Sequence, residues 1–129
     1  MNPVSTDVKD LIEGSTFDLT YAVNLFEGTL PATPDNCVGI FDAPGREQIS
    51  DIQYFRPGLN IRVRNKSYSA GYALAESLQN YLHGLANVEI NSTRYILFFQ
   101  QGSIIPLGRD DHERAEWSIN FRVQRTPAT

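Results

Sequence analysis

The segment from Glu116 to Arg125, EWSINFRVQR, places Trp117, Ile119, Phe121 and Val123 at every second position, with polar side chains between them. That period commits the chain to a strand with one face buried. A slip of one residue would turn all four apolar side chains to solvent, so the register is strongly constrained. A second run repeats the pattern, with Leu59, Ile61 and Val63 facing one way and Asn60, Arg62 and Arg64 the other. In a third run Phe17, Leu19, Tyr21, Val23 and Leu25 alternate with Asp18, Thr20, Ala22 and Asn24, which predicts a half-buried strand over 17–25. Half-buried strands need a cover. Two segments with helical spacing supply one.

The first is Val4, Val8, Leu11 and Ile12, opened by Asn2 as a cap and Pro3 in the first turn, and stopped near Gly14. The second follows Ser69 as a candidate cap and runs AGYALAESLQNYLHG. Leu74, Ala75, Leu78, Leu82 and Leu85 form its inner stripe, and Gly84 marks its end. Shorter strands are predicted at Cys37–Asp42, Val88–Asn91 and Arg94–Gln101. The Gly and Pro of Glu27–Asn36 rule out a central strand there, Ala43–Gln48 reads as a turn, and Arg56–Gly58 brackets the strand that carries Leu59, Ile61 and Val63. The tail TPAT is expected to fray. The order predicts an α+β fold, a single mostly antiparallel sheet with two helices packed on one face, forming a single domain over 1–129.

Hydrophobic residues make up 41% of the 129 residues and charged residues 20%, which excludes an intrinsically disordered chain. The longest apolar runs are strand-sized, too short for a helical membrane span, so no membrane association is expected. The start MNPVSTDVKD lacks the basic and apolar regions of a secretory signal. Cys37 is the single cysteine, which excludes an internal disulfide. The formal net charge is −4 and the pI is about 5.0, a background that disfavours tight phosphate binding.

Residues that carry chemistry are few. Asp110, Asp111, His112 and Glu113 cluster in RDDHE, but consecutive residues without a recognised ligand spacing are better read as a solvated loop than as a metal site. His83 stands where a helix C-terminus mildly favours an imidazole. Cys37 has no local basic neighbour and reads as a structural thiol. GST and QGS lack a nucleophile elbow, and GREQ and EGT lack the Walker lysine. Arg62, Arg64 and Lys66 form a basic row, to which Arg122 and Arg125 can add. It is either a solvated strand face or a patch that meets an acidic neighbouring subunit. In SIIPLG, Ile104, Ile105 and Leu107 occupy a predicted surface connection. They either tuck into the core or await a partner, and the same question applies to Leu30. Glu27–Asn36 and Ile104–Glu113 are expected to be mobile in a free subunit and ordered on assembly.

Taken in order, LFEGTLPATPDN, CVGIFDAPG and YFRPGLNIRVRNKSYSAGYALAESLQNYLHGL resemble the minor capsid and tail terminator proteins of long-tailed bacteriophages. The matching pieces are the Pro-rich turn at 30–36, the strand closing on Asp42 and a Pro-Gly turn, the strand at 57–64, and the helix from Tyr68. The turn APGRE departs from the Gly-Gly turn common in such proteins. The resemblance implies a small fold that assembles as a homo-oligomeric ring, typically a hexamer. Such a ring caps the tail tube, meets a head-completion or connector protein, and lets DNA pass without specific binding. It implies no cofactor, metal or catalysed reaction, and a place in the neck of the virion after assembly in the host cytoplasm. Leu30, Pro31, Pro34, Arg46, Arg62, Arg64, Ile104, Ile105 and Leu107 are then the candidate contact residues. Two alternatives remain: a head-tail joining or tail-completion subunit, and a small metal-dependent hydrolase or nuclease using Asp42, Asp110, Asp111 and His112.

Overall fold

The computed structural model describes residues 1–48 and 53–128. Its elements in chain order are α1 (Val4–Glu13), β1 (Leu25–Glu27), β2 (Cys37–Arg46), β3 (Arg56–Asn65), α2 (Tyr68–Leu82), β4 (Ala86–Ile90), β5 (Thr93–Gln100), β6 (Ile105–Arg109) and β7 (Ala115–Pro127). The strands form one seven-stranded sheet in the order β1-β2-β3-β7-β5-β4, with β6 also on β7. Among the strand pairs of the described residues only the short β1–β2 pair is parallel. The expected α+β architecture, mostly antiparallel with two helices, is therefore present.

β7 organises the sheet. One edge pairs with β3 from Ala115 to Arg122; the other is divided between β6 at its start and β5 at its end. The register aligns Val38 with Val63 and Trp117, and Ile40 with Ile61 and Ile119. Leu59 stands beside Phe121. These rows pack against Val4, Val8 and Ile12 of α1 and Ala75, Leu78 and Leu82 of α2, in one buried cluster. Both helices thus cover the same face, as the strand and helix periods require.

The helix starts follow from local donors and acceptors. Asn2 does not cap α1; Pro3 holds the N-cap position and no side chain of α1 closes it. Asp42 of β2 does so instead, accepting from the Ser5 N–H at 3.0 Å and from Ser5 Oγ at 2.7 Å. A carboxylate at that end meets orphan N–H groups and the positive end of the helix dipole. In α2 the cap is Ser67, whose Oγ accepts from the Ala70 N–H at 3.3 Å, two residues before the expected Ser69. Gly71 lies against Trp117, where an added Cβ would stand 3.0 Å from Nε1. Close approach of helix to sheet explains a glycine inside a helix, which costs about 0.5–1 kcal/mol relative to alanine.

Three expectations fail. The strand over 17–25 does not form: Asp18 and Ala22 take positive φ, 60° and 68°, and only Leu25 enters a strand. The cause is Asn24, whose Oδ1 accepts from the Thr20 N–H at 2.7 Å, while the Thr20 carbonyl accepts from Val23, Asn24 and Leu25. This local turn chemistry outweighs the alternation. Phe17 and Leu19 still reach the core, but Tyr21 and Val23 are exposed. Second, Ala43–Arg46 is not a turn. β2 continues through it with an irregular register, and Gly45 lets it pass Arg56, whose carbonyl would lie 2.1 Å from an added Cβ. Third, the tail does not fray at Thr126–Ala128. Thr126 Oγ1 donates to the Gln53 carbonyl at 2.7 Å and the Ala128 N–H to Ser92 at 3.1 Å. The rest of that segment, Thr129, lies outside the described residues.

Candidate assembly surface

The second face of the sheet has no helix. Over β2 and β3 it is crossed by the 28–36 segment, which passes so close that a Cβ on Gly39 would lie 2.8 Å from the Thr29 carbonyl. Two buried arginines hold this segment. Arg64 Nη2 donates to the carbonyls of Pro31 at 2.6 Å and Pro34 at 2.7 Å, and its Nε to that of Asp35 at 3.2 Å. Arg114 donates through Nη1 to the Ala32 carbonyl and to Asp35 Oδ1, and through Nε to Asp110 Oδ2 at 2.7 Å. Lys66 adds an ion pair to Asp35 at 3.5 Å.

The expected basic row is thereby corrected. Arg64 is only 4% exposed, and its charge is used inside the chain, whereas Arg62 is exposed and lies over the Phe41 ring. The idea that 27–36 lacks internal partners is corrected for the same reason. Cys37 begins β2 as a buried thiol, and burial raises its pKa. Within the segment, Leu30 and Pro31 are half-buried and Pro34 is exposed.

The 104–109 segment is also not a loop. Ile105 to Arg109 forms β6, paired with the start of β7, with an irregularity between Pro106 and Gly108. Its apolar residues divide between the core and the surface. Ile104 packs against the core, while Ile105 is 43% and Leu107 46% exposed. On the helical face, where Trp117 pairs with Pro106 of β6, Tyr68 and Tyr72 at the start of α2 rest edge-on against Trp117, at 4.7 and 5.2 Å between ring centroids. Both tyrosines are themselves exposed. They were not singled out from the sequence, although their i, i+4 spacing off the leucine stripe is a readable sign of a second aromatic face.

Two residues of the hydrolase alternative serve separate structural ends, while Asp111 and His112 are exposed. Asp42 caps α1, and Asp110 closes a turn by accepting from the N–H groups of His112 and Arg114. Burial pulls the Asp110 carboxyl upward, but these hydrogen bonds and the Arg114 guanidinium outweigh it and hold its pKa below the ordinary value. His83 Nδ1 accepts from the Gln100 N–H at 3.0 Å. Among the described residues no three His, Cys, Asp or Glu side chains are grouped to hold a metal ion, and no helix is long and apolar enough to cross a membrane.

A helix-covered sheet whose ionisable side chains brace loops and helix ends, with apolar and aromatic side chains exposed beside β6, has the character of an assembly component. A family model described as "Bacteriophage tail terminator protein" matches residues 7–127, and the chain belongs to that family. It is accordingly a structural protein of the phage tail, located in the virion. Among solved structures, a chain of the "Virion of native gene transfer agent (GTA) particle" is similar, with a TM-score of 0.57 at 14% identity. That match covers 79% of this chain and 78% of the other. A second solved chain has a TM-score of 0.53 at 15% identity, covering 97% of this chain and 93% of its own length. At these identities the likeness concerns the fold. No curated protein sequence matches.

Proposed function

We propose that this chain closes a ring, a hexamer, on the end of the tail tube, halting tube growth and presenting its other surface to a head-completion or connector protein. Family membership over 7–127 is the observation that carries this reading. The exposed Ile105 and Leu107 support it as contact residues, joined by Tyr68 and Tyr72. Ile104, Leu30 and Pro31 are half-buried, and Pro34, Arg46 and Arg62 lie at the surface. DNA passes through the ring without specific binding, which the acidic balance of the chain favours. The protein acts without cofactor or catalysis, as a single domain that assembles in the host cytoplasm. Ring closure requires a head-to-tail contact between unlike surfaces.

Electron microscopy of particles made without this protein tests the reading. Tubes of uncontrolled, excessive length are expected. Tubes of normal length that fail to join heads would assign the chain to head-tail joining instead, and a neck reconstruction without a ring of this chain would overturn the ring.

A further inference from the structure

At the end of the sheet away from the pinned 28–36 segment, a cavity of about 530 Å³ opens between the end of β2, the start of β3 and the middle of β7. Arg46, Arg56 and Arg122 line it together with Tyr54, Pro57 and Gln101, and among the described residues none that lines it is Asp or Glu. The nearest acidic contact is weak: Arg56 Nη2 bonds the Glu47 carbonyl at 3.0 Å but approaches its carboxylate only to 3.9 Å. Arg56 Nε is buried without a partner. Arg46 and Arg122 form no side-chain hydrogen bond or ion pair with the described residues, and both are exposed.

The other end of the sheet shows the contrast. There the buried Arg64 and Arg114 have their guanidinium groups bonded to carbonyls and carboxylates. Three guanidinium groups around one concavity repel one another, and the concavity focuses their field on any anion that enters. Carboxylate is the matching group, since guanidinium binds it through two parallel hydrogen bonds.

The chain carries a suitable donor. In the turn before β7 the Asp110 carboxylate is engaged by Arg114, but those of Asp111 and Glu113 are exposed and bond no described residue. Glu113 has φ of 61° and its carbonyl accepts from Arg109 at 2.7 Å, so the turn has a defined shape. Glu113 and Arg122 are separated along β7 by on the order of 30 Å of extended chain, so one copy cannot satisfy itself. A contact between two ends of one strand is heterologous, the type that can propagate around a ring.

We propose that this cavity is a carboxylate-binding pocket and that its occupant is the Asp111–Glu113 turn of a second copy of this chain. The assignment rests on the ring reading above and specifies the charged part of its subunit contact. Full-length protein assembled on tail tubes from particles lacking it provides the test, with retention measured across a salt series. Arg122→Glu alone, and Asp111→Lys with Glu113→Lys, should each lower retention about tenfold or more, because like charges then face each other. Combining all three changes in one chain should recover part of the lost retention, since position 122 again meets opposite charges at 111 and 113 while Arg46 and Arg56 still face the reversed turn. The neutral set Arg122→Gln, Asp111→Asn and Glu113→Gln serves if a reversal unfolds the subunit, and should weaken retention in each arm.

A combined variant no better than its parents overturns the pairing. So does weakening by Arg122→Glu with a silent acidic turn, which assigns the pocket to the tube or connector protein. Loss of DNA binding as the only effect of Arg122→Glu assigns it to phosphate and equally overturns the proposal. Wild-type rings insensitive to every reversal sink this pairing and leave the ring intact, whereas absence of wild-type rings sinks both.

Discussion

The two faces of the sheet are held by different forces. On the helical face, Val63, Ile61, Leu59 and their β7 neighbours meet α1 and α2 in a cluster that excludes water. On the opposite face the 28–36 segment follows the strands without helix or strand structure of its own, secured by charge-assisted bonds from Arg64 and Arg114 to its carbonyls. The first arrangement derives its strength from apolar area and tolerates little loss of volume. The second satisfies backbone acceptors one by one, so it fixes a shape while burying little apolar surface. The comparison shows how a surface loop can be bonded along its backbone before any partner arrives.

Leu78→Ala tests the helical face most severely. The side chain is fully buried, and the change should lower unfolding free energy by about 2–5 kcal/mol in a denaturant titration. A loss under about 0.5 kcal/mol would mean that the stripe repacks freely.

Arg64→Met tests the other face. It removes the donor shared by three carbonyls and should cost about 1.5–3 kcal/mol. Hydrogen exchange should rise across 31–36 more than in α2. A uniform rise would show that the segment and the core melt as one unit.

Acid provides a finer probe. Asp110 has a depressed folded pKa, so the stability it contributes is present above the ordinary carboxylate value and is lost as pH falls through the lowered one. As pH falls below the ordinary carboxylate value of about 3.9 and through the lowered one, the His112 and Arg114 amides should lose protection before those of α2. Simultaneous loss would refute a local role for this carboxylate.

Ile105→Ser with Leu107→Ser should have the smallest effect on the free subunit, within about 0.5 kcal/mol per change, because both side chains are already wet. Retention on tail tubes should nevertheless fall. Unchanged retention would remove β6 from the contact surface.

The parts readable in the sequence are those where period and burial coincide. Trp117 to Val123, Leu59 to Val63 and the leucines of α2 all occupy the predicted faces. The 17–25 segment carries an equally regular pattern, but the hydrogen bonds of Asn24 turn the chain before a partner strand is met. β6 is obscured by Pro106 and Gly108, residues that mark connections more often than strands. Arg64 was assigned to the correct side of β3; its burial depends on Pro31, Pro34 and Asp35, which no local pattern ties to it. Arg114 is harder still, because its partners Ala32 and Asp35 lie in a distant part of the chain.

The connections of α1 bear on mechanics. Thr6 Oγ1 donates to Glu27 of β1 at 2.6 Å, Ser5 bonds Asp42 of β2, and the buried Asp7 accepts from Tyr95 of β5 and from Asn91 beside β4. The helix is therefore a crossbar between opposite margins of the sheet. Load applied to one margin reaches the other through α1 as well as through each intervening ladder, so neither margin can peel away alone. For a subunit of a phage tail, failure then requires shearing several bonds together, and the crossbar acts as a load-sharing brace.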